Sequence, residues 1–398
     1  AKHLAEIANL PIMAERRAMW VAHNQLQRVR PLVLVFPEGA WRELLPPEVL
    51  ACTSEEGREM EARLRRDIYS YEHLHDDKPI DGIWEVSPVV SGASRFDWGL
   101  QPRVSAKTQE TGSFAFDPVL HDERDLEALR YPTVVYDPDA TARRLAEAED
   151  LFGDILPVER RGVRRISFHL TNLYAYLRGL DQFMWDIHDH PRMVHRAMAF
   201  FEEGYRRYVQ QLVDLGLLDT NNDGTYHSSG GVGYTTELPG PDYDPDHVLP
   251  HNLWASAESQ EMAQVSPAAH EEFVMQYERR LLAPFGLNGY GCCEDLTHKL
   301  DRVKAIPNMR RISISPFADV AACAEQLGAD YIFSWKPNPA YLVGDFDPDQ
   351  IRTYVREALD AARGCVLEII LKDTHTCEHH PERFTAWTDV VRELVEEC

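Results

Sequence analysis

Over its last 150 or so residues the chain alternates short, β-rich apolar runs with stretches of helical period, and this alternation constrains the fold more than any other feature. "LWASAES", "LNGYGCC", "RRISIS", "YIFSWKP" and "CVLEIILKD" read as strands. Between and after them "SPAAHEEFVMQYERRLLAPF", "EDLTHKLDRVKAI", "FADVAACAEQLG", "DPDQIRTYVREALDAARG" and "ERFTAWTDVVRELVEE" read as helices. Strands joined through helices pair in parallel. Upstream, "RPLVLVF", "DGIWEVSPVV" and "VRRISFHL" add three strands. Asp137 caps a helix at "DPDATARRLAEAEDLF", and Pro191 and Gly216 bound another. Eight strands is the number that closes a (β/α)8 barrel. The expected fold is therefore α/β: a single TIM barrel over 30–398, with an N-terminal helical extension over 1–29. Long loops near 90–140 and 219–250 should sit at its C-terminal mouth. A doubly wound sheet is the rival, but no Gly-rich phosphate fingerprint follows the early strands.

A chain of 398 residues, 44% hydrophobic and 27% charged, can bury such a core. Its net charge of −24 repels phosphate backbones and anionic lipid, so neither nucleic acid nor membrane is an expected partner. No apolar run reaches the roughly 18 residues that span a bilayer, and the start carries no leader pattern; a cytoplasmic location is expected. The seven cysteines are odd in number and follow no framework spacing, so reduced thiols are expected. Neighbouring Cys292 and Cys293 close only a strained ring, leaving metal ligation or packing as their roles.

Strand period sorts side chains between the helix-facing side and the lumen. It turns Ser167 and His169 inward, with Trp254, Ser256 and Glu258, Ser313 and Ser315, Ser334 and Lys336, and Glu368 and Lys372. Glu85 is expected inward on the second strand. With Leu287 outward, Asn288, Tyr290, Cys292 and Glu294 point in. So many ionisable groups require pairing or a ligand. A self-neutralising ladder of Glu368 with Lys372 or Lys336 is one solution. Another is a site in which Glu258, Lys336, Lys372 and Asp373 do the chemistry. Glu85, His169 and Tyr290 would then touch substrate, with Trp84, Phe96 and Trp98 shaping an apolar pocket. Tyr226 and His227 lie in a Gly-rich loop that could act as a lid, although a lone loop histidine is more often simply solvated.

The i, i+2 spacing of Cys292 and Glu294 sets a soft thiolate beside a hard carboxylate, as an open zinc site needs. The third ligand would be His169, Glu258 or His375, with Cys377 two residues further on. Cys293 reads best as a packed thiol.

The layout resembles the uroporphyrinogen decarboxylase superfamily, barrels that include corrinoid-dependent methyltransferases. The resemblance rests on "RPLVLVFPEGAW", "SFHLTNLYAYLRGL", "QEMAQVSPAAHEEFVMQY", "KPNPAYL" and "ILKDTHT". Glu38 and Trp41 stand where the decarboxylases carry arginines, which points away from a porphyrinogen substrate. Zinc methyltransferases of the superfamily use a His-x-Cys on the fifth strand and a Cys after the eighth; here "GYGCCE" and "DTHTC" occupy those places. The resemblance implies a zinc site at the same mouth, with Cys292, Glu294 or His375 as substitute ligands. It further implies methyl transfer between a small methylated compound, such as a methyl ether, and a corrinoid carried by a separate protein. The alternatives are a metal-independent decarboxylase of a small acid and a non-catalytic ligand-binding barrel. A second copy of the chain, as a homodimer, is a further expected partner.

Overall fold

The computed structural model describes residues 1–92, 97–104, 116–227 and 230–398. At its centre lies a seven-stranded sheet: β1 (Leu32–Val35), β2 (Ser167–Phe168), β3 (Trp254–Ala257), β4 (Leu287–Tyr290), β5 (Met309–Ile314), β6 (Ile332–Trp335) and β7 (Val366–Leu371). Their spatial order is β1-β7-β6-β5-β4-β3-β2, and every pair is parallel. The fold is thus α/β, with the carboxyl ends of all seven strands at one end, an arrangement consistent with a TIM-like barrel.

Helices begin where the sequence supplies a first-turn acceptor. The Asp137 side chain accepts from Ala140 N ahead of Pro138–Phe152, Ser266 from Ala269 N ahead of Pro267–His270, and Asp347 from Asp349 N ahead of Pro348–Ala361. Each cap is followed by proline, whose missing N–H costs nothing at the first helical position.

The expected second strand does not join this sheet. Trp84–Val86 pairs instead with Val158–Arg160 in a separate two-stranded ladder. The free edge of β1 is met by "HDDKP": Asp77 N donates to Val33 O, while Val33 N and Val35 N donate to the carboxylates of Asp77 and Asp76. Side-chain acceptors thus stand where strand carbonyls would, which satisfies the edge without an eighth strand. Among the described residues no hydrogen-bonded strand closes the sheet between β1 and β2.

An antiparallel bridge joins Tyr226 to Val232, and Gly230 and Gly231 beside it pack against the inner face. Gly231 N donates to Glu368 at 2.8 Å, and a Cβ on Gly230 would stand 2.2 Å from the Arg311 side chain, so this close approach requires glycine. The helix Pro11–Asn24 seals the same layer through Asn24, which donates to Val232 O and Tyr234 O.

Partners across parallel strands share a face, so register tests the expected orientations. Phe333, Trp335, Leu367 and Ile369 pack outward and Ser334 and Glu368 inward, as the period predicts. On β4 the prediction is reversed. Leu287 pairs with Trp254 and packs with Ile332 and Val366 on the inner face, which turns Asn288 and Tyr290 toward the helices. The donors of the reversed face find partners in the outer layer, Tyr290 donating to Glu278 and Asn288 Nδ2 to the carbonyls of Leu282 and Pro307, while Asn288 Oδ1 is buried without a partner among the described residues.

Candidate functional site at the carboxyl ends of the strands

Gly291, at φ +97°, ends the alternation of β4; a side chain there would be strained and would meet Leu296 at 2.8 Å. This turn undoes the reversed register and delivers both cysteines to the strand ends. Cys292 Sγ lies 3.6 Å from Cys293 Sγ, and Lys372, just past β7, places Nζ 3.5 Å from Cys292 Sγ. Cys293 Sγ lies 3.3 Å from Asp373 Oδ2, a second acceptor that competes with Cys292 for its single S–H proton, and Asp373 in turn lies 3.3 Å from Lys372 Nζ. The two cysteines are therefore unequal. The hydrogen bond from Cys293, reinforced by the Lys372 charge, brings the Cys292 thiol down to about 6 against the effect of burial. The same bond pushes Cys293 up, so the pair is a thiolate held by a thiol. Burial alone would lower Lys372, but the charge at Cys292 holds it above its ordinary range, as a cation.

Backbone strain collects at this corner. Glu38 (φ +45°) and Asp373 (φ +58°) both adopt left-handed conformations just after β1 and β7, and Asp373 N donates to Glu38 Oε2 at 3.0 Å. Half-buried Tyr226 stands nearby, its ring 4.7 Å from that of Phe36 and 5.4 Å from the Arg165 guanidinium.

Past β3, Glu258 Oε1 lies 2.6 Å from His169 Nδ1, while Glu258 Oε2 is buried and has no hydrogen-bond partner among the described residues. Both oxygens of Glu294 are engaged, accepting from Ser259 N and Cys292 N, and burial raises this carboxyl to about 7. Behind it, Glu278 accepts from Ser259 Oγ at 2.6 Å and from Tyr290 OH at 2.8 Å. Burial lifts Glu278 to about 8, so both carboxyls hold protons near neutrality. Lys336 is 3% exposed and donates to Ser334 O and Ser334 Oγ, both at 2.9 Å.

Cys292, Cys293, Glu294, Glu258, His169, Lys336, Lys372, Asp373 and Tyr226 are thus placed around the strand ends. The other expected site residues lie elsewhere. Glu85 is paired with Arg164, which precedes β2, toward the opposite end of the sheet. Trp84 packs against Phe152 under Arg63, and Trp98 packs among Phe200, Phe201 and Tyr205 in the helical layer. Trp84 joins a separate small core with Leu4, Ile7 and Val86, whereas Trp98 belongs to the main one. Phe96 lies outside the described residues. Tyr290 faces the helices. His227 is not on a lid: it is buried, stacked on Trp254, bonded to Asn221 O and brought down to about 3 by burial, hence neutral. The pattern missed His23, Arg311 and Glu278. Arg311 falls at an inward position of "RRISIS", so the strand period could have found it.

The zinc expectation named Cys292, Glu294 and His375. Glu294 spends both oxygens on backbone N–H groups, and His375 is exposed, its carbonyl held by Arg42. Cys377 is turned away onto Glu43, with Sγ 3.1 Å from the carboxylate. Among the described residues no group of three or more His, Cys, Asp or Glu side chains is placed to hold a metal ion. The expected donor set therefore does not fit zinc in this arrangement; Cys292 and Cys293 are the sulfur pair that does come together.

No protein-family model and no curated protein matches the chain. The solved structure of a methyltransferase from Methanosarcina mazei is similar in fold, with a TM-score of 0.55 over 95% of this chain and 98% of that one at 12% identity.

Proposed function

We propose that this chain is a methyltransferase of the uroporphyrinogen decarboxylase superfamily, built as a (β/α)8-type barrel. In this reading it moves a methyl group from a small methyl ether carrying an anionic group to a corrinoid on a separate protein. The buried, unpartnered Oε2 of Glu258 is the observation that carries the proposal. A carboxyl oxygen desolvated without a partner is costly, and a bound substrate that completes it recovers that cost.

Lys372 is the cation that binds the substrate anion, oriented by Cys292 and Asp373 on either side. Breaking the methyl–oxygen bond leaves an alkoxide or phenolate oxygen that needs a proton. Glu258 Oε2 supplies it, and His169, whose side chain is 40% exposed, restores it through its 2.6 Å bond to Oε1. A reduced corrinoid, as the methyl acceptor, would supply the electron pair that takes the methyl group. Fold likeness to a methyltransferase supports this reading.

The test is to incubate the chain with a methoxybenzoate and a reduced corrinoid, following the demethylated phenol and the corrinoid spectrum together. Glu258→Gln should lower the rate about 100-fold, the low end for a lost acid–base group, with the melting temperature unchanged. Finding no demethylated product from any ether, thioether or amine in a substrate panel would overturn methyl transfer.

A further inference from the structure

Lysines inside proteins are almost always paired with a carboxylate or reach water. Lys372 follows that rule, lying 3.3 Å from Asp373. Lys336, on the neighbouring strand, does not. It is 3% exposed, and among the described residues its acceptors are the neutral Ser334 carbonyl and hydroxyl, with no carboxylate within ion-pair distance. Glu368, the closest acid in its own layer, accepts instead from Arg311, Ser334 and Gly231. Lys336 follows directly after β6 on the inward face, so its amine belongs to the carboxyl ends of the strands.

The groups that face it are Glu368 and Lys372 from β7, Cys292 from the turn after β4, and Arg311 from β5. Burial weighs most and favours the neutral amine; Glu368 and Cys292 oppose it, while Lys372 and Arg311 act with it, and the result is about 7. A desolvated amine beside a second cation is a competent nucleophile at neutral pH.

We propose that Lys336 is a carbonyl-capturing amine, condensing with the aldehyde or keto group of a small anionic compound such as a 2-oxo acid, whose carboxylate is held by Lys372. The amine lone pair attacks the carbonyl carbon, the carbonyl oxygen leaves as water with the two amine protons, and a carbon–nitrogen double bond remains. No oxidant or metal takes part. This activity is separate from methyl transfer, which is read at the corrinoid, so either can fail without the other.

The experiment uses the full chain with pyruvate and cyanoborohydride at pH 7, followed by peptide mass mapping. The expected result is a reduced pyruvate adduct at Lys336 that forms at least about tenfold faster than the adduct at exposed Lys2. Lys336→Arg should remove this adduct and leave the slow surface labelling. Mapping the wild-type chain answers the question even if that variant does not fold. An unmodified Lys336, or one labelled no faster than the surface lysines, overturns the proposal.

Discussion

Glu368 and Lys372 stand four residues apart on the same face of one strand segment, yet they belong to different kinds of environment. Around Glu368 every oxygen is used: Oε1 accepts from Gly231 N, Arg311 Nε and Ser334 Oγ, and Oε2 from Arg311 Nη2, with His23 Nε2 at 3.1 Å. Burial keeps His23 neutral in spite of Glu368, so their contact is a hydrogen bond and not an ion pair. Arg311 also lies over the Trp254 ring at 5.1 Å. Around Lys372 the accounts are open, with a thiolate at Cys292, an unpartnered oxygen on Glu258, a lysine without a counter-ion at Lys336 and a half-open His169. Charge inside a sheet therefore does not mark a site by itself. The lower layer is not fully satisfied either, since Arg311 Nη1 is buried without a partner among the described residues; what distinguishes the upper layer is that its open groups stand at the carboxyl ends of the strands, where a ligand can complete them.

The contrast can be broken most forcefully from below. Arg311→Met strips Glu368 of its cation while leaving the carboxylate fully buried. It should cost about 3–5 kcal/mol in urea unfolding, the range for a broken buried ion pair. Lys372→Met, at the mouth, should cost clearly less, because Cys292 can answer the loss by taking up a proton. Equal losses would mean the two layers are not different in kind.

A smaller effect is expected behind the mouth. Glu278 and Glu294 are raised to about 8 and about 7, mainly by burial. A carboxyl with a raised folded pKa contributes stability that is fully present below its unfolded value and is lost as pH rises through the folded one. Wild-type stability should therefore fall from pH 6 to pH 9. Glu278→Gln, which keeps the hydrogen-bonding shape without the proton, should flatten that fall by about 2 kcal/mol. An identical slope in the variant would show that Glu278 is already ionised at neutrality.

The sequence made the strands legible because helix–strand alternation and period two are properties of local pattern. Five of the inward faces, on β2, β3, β5, β6 and β7, follow from it. On β4 polarity is no sign of the lumen, because Tyr290 meets a buried glutamate from a helix that no local pattern announces. Cys292 and Cys293 still reached the mouth, but only because the positive φ of Gly291 offsets the wrong parity. The second strand failed for a related reason. "DGIWEV" has strand composition, but the edge it should have covered is already satisfied by the carboxylates of Asp76 and Asp77, a long-range solution invisible to a window of residues. Arg311, His23 and Glu368 converge from three distant segments, so their network could be read only as an excess of inward charge.

The finest test of the contrast lies in the cysteine pair itself. Alkylation by iodoacetamide follows the thiolate, so the rate at Cys292 should rise with pH around a midpoint near 6, while Cys293 stays unreactive as the hydrogen-bond donor. Lys372→Met removes one stabilising charge and should move the midpoint up by about one unit, lowering the rate at pH 6 about fivefold. Cys293→Ala removes the larger contribution, the hydrogen bond, and should move it further. If instead the lysine variant shifts the midpoint more than the cysteine variant does, the thiolate is held by charge alone. The 3.6 Å sulfur contact would then be packing, and the upper layer would lose the hydrogen bond that makes its two cysteines unequal.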